Sequence, residues 1–219
     1  MMSGELPHEK DSAPIGEGRH LSNPRYQVNA MEAISAVYTA TGIVVPAWNE
    51  ANNLYQDGFG SLMRDSRVLS LQPFEALYLV ERQKVSIIEE QTKKRLVFRE
   101  LLHKFSEDDP DIWTRYIVYR DLRTRGFVVK GSTGPGLDFL VYERGSYGKK
   151  VPGYMIYTVW EGSKVPIERL GKVLDEATES DRILRLAVVD RRGEIVYYTL
   201  SNMDFEKKET RAPQPDPRS

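Results

Sequence analysis

The segment Arg115–Glu143, RYIVYRDLRTRGFVVKGSTGPGLDFLVYE, most constrains what this chain can fold into. Its aromatic and Arg-rich first part has helical spacing up to Arg125, and Gly126 supplies the left-handed residue that commonly ends a helix. Asp109-Pro110 reads as the opening of that helix, a cap followed by proline in the first turn. Phe127–Lys130 then reads as a strand, Gly134-Pro135-Gly136 as a glycine-rich loop, and Leu137–Glu143 as a strand that carries Tyr142 near its end. Downstream, Tyr154–Trp160 is a strand and Pro166–Ala177 a helix. Strands Ile183–Val189 and Ile195–Leu200 follow, joined by the turn Asp190-Arg191-Arg192-Gly193-Glu194. The order αβββαββ implies a mixed sheet flanked by helices, an α/β (α+β) domain.

A second, smaller αβ unit precedes it. Gly42–Val45 is a short apolar strand, and Trp48–Asp57 has helical spacing stopped by Gly58. Pro73–Gln83 reads as an amphipathic helix, with Phe74, Leu77, Tyr78 and Glu81 at i, i+3, i+4 and i+7. Lys84–Ile88 alternates as a strand and Val97–Lys104 is helical. The ends, 1–24 and 206–219, are polar and rich in Pro and charge, and are expected to be disordered tails. The expected organisation is an N-terminal αβ domain over 25–106 and a C-terminal nuclease-like domain over 107–205.

Composition removes several chemistries. The 219 residues contain no cysteine, which excludes disulfides and thiolate catalysis, and only three histidines, His8, His20 and His103. No metal and no cofactor are expected. A formal net charge of -1 means that nucleic acid would have to be met by a local basic patch. No apolar run is long enough for a bilayer and the N-terminus lacks an apolar signal core, so a cytoplasmic location without membrane contact is expected.

Five segments, EANNLYQDGFG (50–60), LSLQPFEALYLVERQKVSI (69–87), DPDIWTRYIVYRDLRTRGFVVK (109–130), DFLVYERG (138–145) and LAVVDRRGEIVYY (186–198), stand in an order and spacing that resemble the archaeal tRNA-intron splicing endonuclease family. The resemblance covers about Gly42 to Phe205. It implies metal-independent cleavage of precursor tRNA at a bulge–helix–bulge, leaving a 2′,3′-cyclic phosphate and a 5′-hydroxyl. In such enzymes a tyrosine acts as base, a histidine protonates the leaving oxygen and a lysine stabilises the charged transition state. A base, an acid and a cation are what in-line phosphoryl chemistry without metal needs.

Carried onto this sequence, the tyrosine falls on Tyr142. The histidine position is filled by Val151 or Pro152, neither of which donates a proton, and no histidine occurs beyond His103. The lysine falls on Arg182, which keeps positive charge but not the point-charge geometry of an ammonium. The acidic run Asp175, Glu176 and Glu179 would repel a phosphate backbone. This pattern is similar to that of the non-catalytic, structural subunit of the heterotetrameric form, with Tyr142 kept for packing. The implied partners are a catalytic paralogous subunit, two of each chain, and precursor tRNA.

In the family, C-terminal strands pair subunits and a loop of one dimer enters a pocket of the other. Asp190 and Glu194 fall on that loop and Ile195, Val196, Tyr197 and Tyr198 on that strand, the alternative being a plain hairpin beside a core strand. Arg115, Arg120, Arg123, Arg125 and Lys130, interleaved with Tyr116 and Tyr119, form a candidate RNA-binding cluster. The alternative is inward tyrosines with solvated arginines. Two other functions remain open: a self-sufficient RNA endonuclease with an altered catalytic set, and a nucleic-acid-binding assembly protein on the same fold.

Overall fold

The computed structural model describes residues 33–202, apart from 64, 65 and 135. The expected tails at 1–24 and 206–219 lie outside the described residues. The first half runs β1 (Ile34–Thr39), β2 (Gly42–Val45), α1 (Trp48–Gln56), β3 (Ser61–Leu62), β4 (Leu69–Leu71), α2 (Pro73–Glu81), β5 (Val85–Glu89), β6 (Arg95–Leu96) and α3 (Phe98–Asp108). Its six strands form one sheet in the order β3-β4-β2-β1-β5-β6, with β1 and β5 parallel and the other pairs antiparallel. The second half runs α4 (Ile112–Thr124), β7 (Val128–Gly131), β8 (Phe139–Tyr142), β9 (Tyr154–Trp160), α5 (Ile167–Glu179), β10 (Ile183–Val189) and β11 (Ile195–Leu200). Its five strands form a mixed sheet, β11-β10-β9-β8-β7, in which only β9 and β10 are parallel. The molecule is therefore an α/β protein in which each half has a sheet flanked by helices.

Several sequence expectations need correction. The helix expected from Asp109-Pro110 begins at Ile112 instead. Asp109 ends α3, and its carboxylate accepts from the Asp111 N–H at 3.1 Å, so Asp109-Pro110-Asp111 is the turn between two helices. Pro73–Gln83 is not amphipathic: residues 74–79 are all buried, because α2 is enclosed on several sides. Its N-terminus is closed by Glu75, whose carboxylate accepts from the Gln72 N–H at 2.8 Å. Strand β1 carries little pattern because its one fully buried residue is Ala36, yet it occupies the middle of the first sheet.

A single hydrophobic core crosses both halves. Phe74 and Tyr78 of α2 meet Tyr119 of α4 at ring-centroid distances of 4.9 and 5.7 Å, and Phe74 meets Phe139 of β8 edge-on at 5.1 Å. Tyr116 and Tyr119 are fully buried, which places the interleaved tyrosines of α4 inward. The opposite face of the second sheet is covered by α5, where Val173 and Ala177 pack on Leu137, Met155, Tyr157 and Leu184.

Candidate functional site

Side chains alternate across a strand, so the two faces of the second sheet can be assigned from the two cores. Met155, Tyr157 and Leu184 point to α5, whereas Ile156 and Ala187 point to the α4 side. Leu140 packs with the α5 cluster, which puts Tyr142, two residues on, on the α5 face. Arg182, two residues before Leu184, falls on the same face. The backbone draws these segments together at one end of the sheet. The Gly153 N–H donates to the Val141 carbonyl at 3.1 Å, and the Ile183 N–H donates to the Gly153 carbonyl at 3.0 Å. Tyr142 and Arg182 thus lie on either side of the segment that leads from Val151-Pro152 into β9, at the ends of β8 and β10.

Arg182 is committed within this corner. Its Nε donates to the Pro152 carbonyl at 3.2 Å, so the guanidinium closes onto the backbone beside the position where an acid is expected. Val151 is 75% exposed and Pro152 is buried. Tyr142 contacts Tyr147 edge-on at 5.1 Å. Lys130 Nζ stands 5.5 Å from the centre of the Tyr147 ring and 5.7 Å from that of Tyr55. Lys130 also donates to the Gly60 carbonyl at 2.7 Å. Tyr142 is therefore the outer member of a stack that runs through Tyr147 and Lys130 into the first half. Burial lowers the Lys130 pKa and raises that of Tyr147.

The loop before β8 lies against α5. A Cβ at Gly134 would come within 3.7 Å of the Glu176 carboxylate, and one at Gly136 (φ +91°) would collide with Arg169 at 2.8 Å. The acidic side of α5 therefore reaches toward the face that carries Tyr142 and Arg182.

The expected RNA-binding residues all have partners within the chain. Arg115 bridges Asp109 and Asp138, at 3.0 and 2.9 Å. Asp138 also accepts from the Thr158 N–H and hydroxyl, while burial raises its pKa. Arg120 pairs with Glu81 at 3.3 Å. Arg123 stacks 3.9 Å over Phe59 and donates to the Asp57 carbonyl at 3.0 Å. Arg125 pairs with Asp121 at 2.9 Å and lies over the Tyr197 ring. With Lys130, Arg120 and Arg123 bridge the two halves of the chain.

Strand β11 is an edge of its sheet. Val196 and Tyr198, 51% and 53% exposed, share one face, while Ile195 and Tyr197 pack on the core. Tyr197 donates to Asp121 at 2.8 Å, and burial together with that carboxylate raises its pKa. The β10–β11 turn is closed by Asp190, whose Oδ1 accepts from the Arg192 and Glu194 N–H groups, each at 2.8 Å. Asp190 thus shapes the loop, while Glu194 is exposed. His103 is exposed on α3 beside Glu107 at 3.4 Å.

Sequence reasoning missed Tyr147, the buried Glu75, and the pair Arg144 and Arg185. Only Arg185 left a trace, a charge in the otherwise apolar strand ILRLAVV.

Comparison with known proteins follows the same two halves. Residues 39–102 match the family described as tRNA intron endonuclease, N-terminal domain, and residues 112–197 match tRNA intron endonuclease, catalytic C-terminal domain. The chain is 30% identical to a tRNA-splicing endonuclease of Pyrococcus abyssi over 70% of its own length and 87% of the relative's. It is 30% identical to one of Methanococcus maripaludis over 77% of this chain and 94% of that one. With a tRNA-splicing endonuclease of Methanococcoides burtonii it shares 36% identity over 67% of this chain, which spans 40% of that relative. With matches across both halves, this chain belongs to the tRNA intron endonuclease family.

Proposed function

We propose that this chain is a structural subunit of a tRNA-splicing endonuclease, assembling with a paralogous catalytic chain as a heterotetramer that cuts precursor tRNA. The observation that carries the reading is the corner at Val151-Pro152, where Arg182 donates to the Pro152 carbonyl. The position that should supply a proton to the leaving 5′-oxygen offers an alkyl side chain and a proline ring. The cation that should stabilise the phosphorane is turned onto a backbone carbonyl. Loss of a general acid alone costs about 10²–10⁴-fold in rate. Tyr142 serves as a packing residue in the Tyr147–Lys130 stack.

The edge strand β11, with exposed Val196 and Tyr198, supports a subunit contact, since an unpaired apolar edge favours strand-to-strand association. The turn Asp190–Glu194 would be the element that reaches the opposing dimer. Cleavage would leave 2′,3′-cyclic phosphate and 5′-hydroxyl ends and proceed without metal.

The test is cleavage of an intron-containing precursor tRNA in EDTA, by this chain alone and mixed with a family member that carries Tyr, His and Lys at the three positions. The reading expects cleavage only where the catalytic chain is present, with this chain co-eluting in the complex. Cleavage by this chain alone would refute it.

A further inference from the structure

On the α4 face of the second sheet, away from Tyr142 and Arg182, lies a cavity of about 210 Å³ walled by Arg125, Arg144 and Arg185 together with Phe127, Tyr154 and Tyr197. Each guanidinium sits over one of these rings: Arg185 over Tyr154 at 4.8 Å, Arg144 over Phe127 at 5.2 Å and Arg125 over Tyr197 at 5.6 Å. Such stacking fixes the guanidinium planes and leaves their in-plane N–H groups to donate. Among the described residues no carboxylate lines the cavity, and Asp121 beside it already accepts from Tyr197 and pairs with Arg125. Among the described residues neither Arg144 nor Arg185 is paired with a carboxylate. Arg185 Nε is shielded from solvent and has no hydrogen-bond partner among the described residues. A buried donor left in this state calls for an acceptor.

We propose that this cavity is a binding site for one tetrahedral oxyanion, a phosphate group. Its chemistry suits a phosphodiester of RNA or a free phosphate: three positive groups, one of them offset by Asp121, with preset donors on rigid aromatic supports and room for a single such group. The RNA source rests on the function proposed above; the oxyanion site itself does not. Arg144 and Arg185 are the residues that hold the anion, and Phe127 and Tyr154 are positioning residues.

The experiment follows the arginine Nε–H signals of the full chain by ¹⁵N NMR, assigned through Arg144→Gln and Arg185→Lys. Inorganic phosphate and a single-stranded oligoribonucleotide are titrated separately, against sodium chloride at matched ionic strength. The expected result is a saturable shift of the Arg185 and Arg144 signals with at least one of the two probes, lost in Arg185→Gln. Arg144→Gln, at an exposed position, keeps the fold and tests the site a second way. For RNA, each lost phosphate contact should reduce the slope of log affinity against log salt by about 0.7. Shifts with phosphate and no RNA binding would support the oxyanion site while counting against the RNA function. RNA binding that leaves both arginine signals unmoved would overturn the site and spare that function. No shift with either probe beyond the chloride control would also overturn it.

Discussion

At the scale of single residues, the basic side chains that look available in the sequence are largely spent on structure. Lys130 and Arg123 converge on the Phe59-Gly60 turn, which is also held by Glu75. That carboxylate is 1% exposed and accepts from the Gly60 N–H at 2.9 Å and the Gln72 N–H at 2.8 Å. Glu75→Gln turns one acceptor oxygen into an amide donor facing a backbone donor. It should cost about 1–3 kcal/mol, read by chemical denaturation. Burial raises the Glu75 pKa above its ordinary 4.5, ahead of the opposing backbone hydrogen bonds. The folded state then binds more protons than the unfolded state in that window, so this group's contribution is full below 4.5 and falls as pH rises through the raised value. The stability advantage of wild type over Glu75→Gln should therefore shrink as pH increases from about 4 toward neutrality. An advantage that grows with pH would contradict the assignment.

At the scale of elements, legibility followed burial pattern. Strands β2, β9, β10 and β11 coincide with the runs read from sequence, because each is an apolar or alternating stretch bounded by turn residues. Helix α4 was legible in existence but not in its start, since Asp109 serves the end of α3 rather than the beginning of α4. Strands β3 and β6, of two residues each, fall below any periodic signal, and β1 hides behind the small side chain of Ala36. In the candidate site, Tyr142, Val151 and Arg182 were legible through motif order. Tyr147 was not, nor was Arg144 in the cavity on the opposite face, because their roles depend on which ring meets which cation across the fold. On the proposed function, the element that meets the partner chain is β11. Val196→Lys with Tyr198→Lys places two charges on its exposed face without entering the core. Stability should change by less than about 1 kcal/mol, while association with the catalytic chain weakens at least about tenfold, measured by analytical ultracentrifugation. Unchanged association would place the subunit contact elsewhere.

At the scale of the whole molecule, the two halves that match separate family domains share one core through α2, α4 and β8. Arg120, Arg123 and Lys130 add polar ties across the same junction. Thermal unfolding should accordingly be a single transition with matching calorimetric and van't Hoff enthalpies, where independent domains would give two. On the proposed function, a rigid unit of this kind, with Val151-Pro152 where an acid is expected and an apolar edge strand, would hold a partner rather than cut. The most direct measurement is the rate of precursor-tRNA cleavage in EDTA by the complex with the catalytic chain, comparing wild type with Tyr142→Phe in this chain. The account predicts equal rates, because the Tyr142 hydroxyl takes no part in the chemistry. A fall of about 10²-fold or more, with the complex still assembled, would make Tyr142 a working base and contradict it.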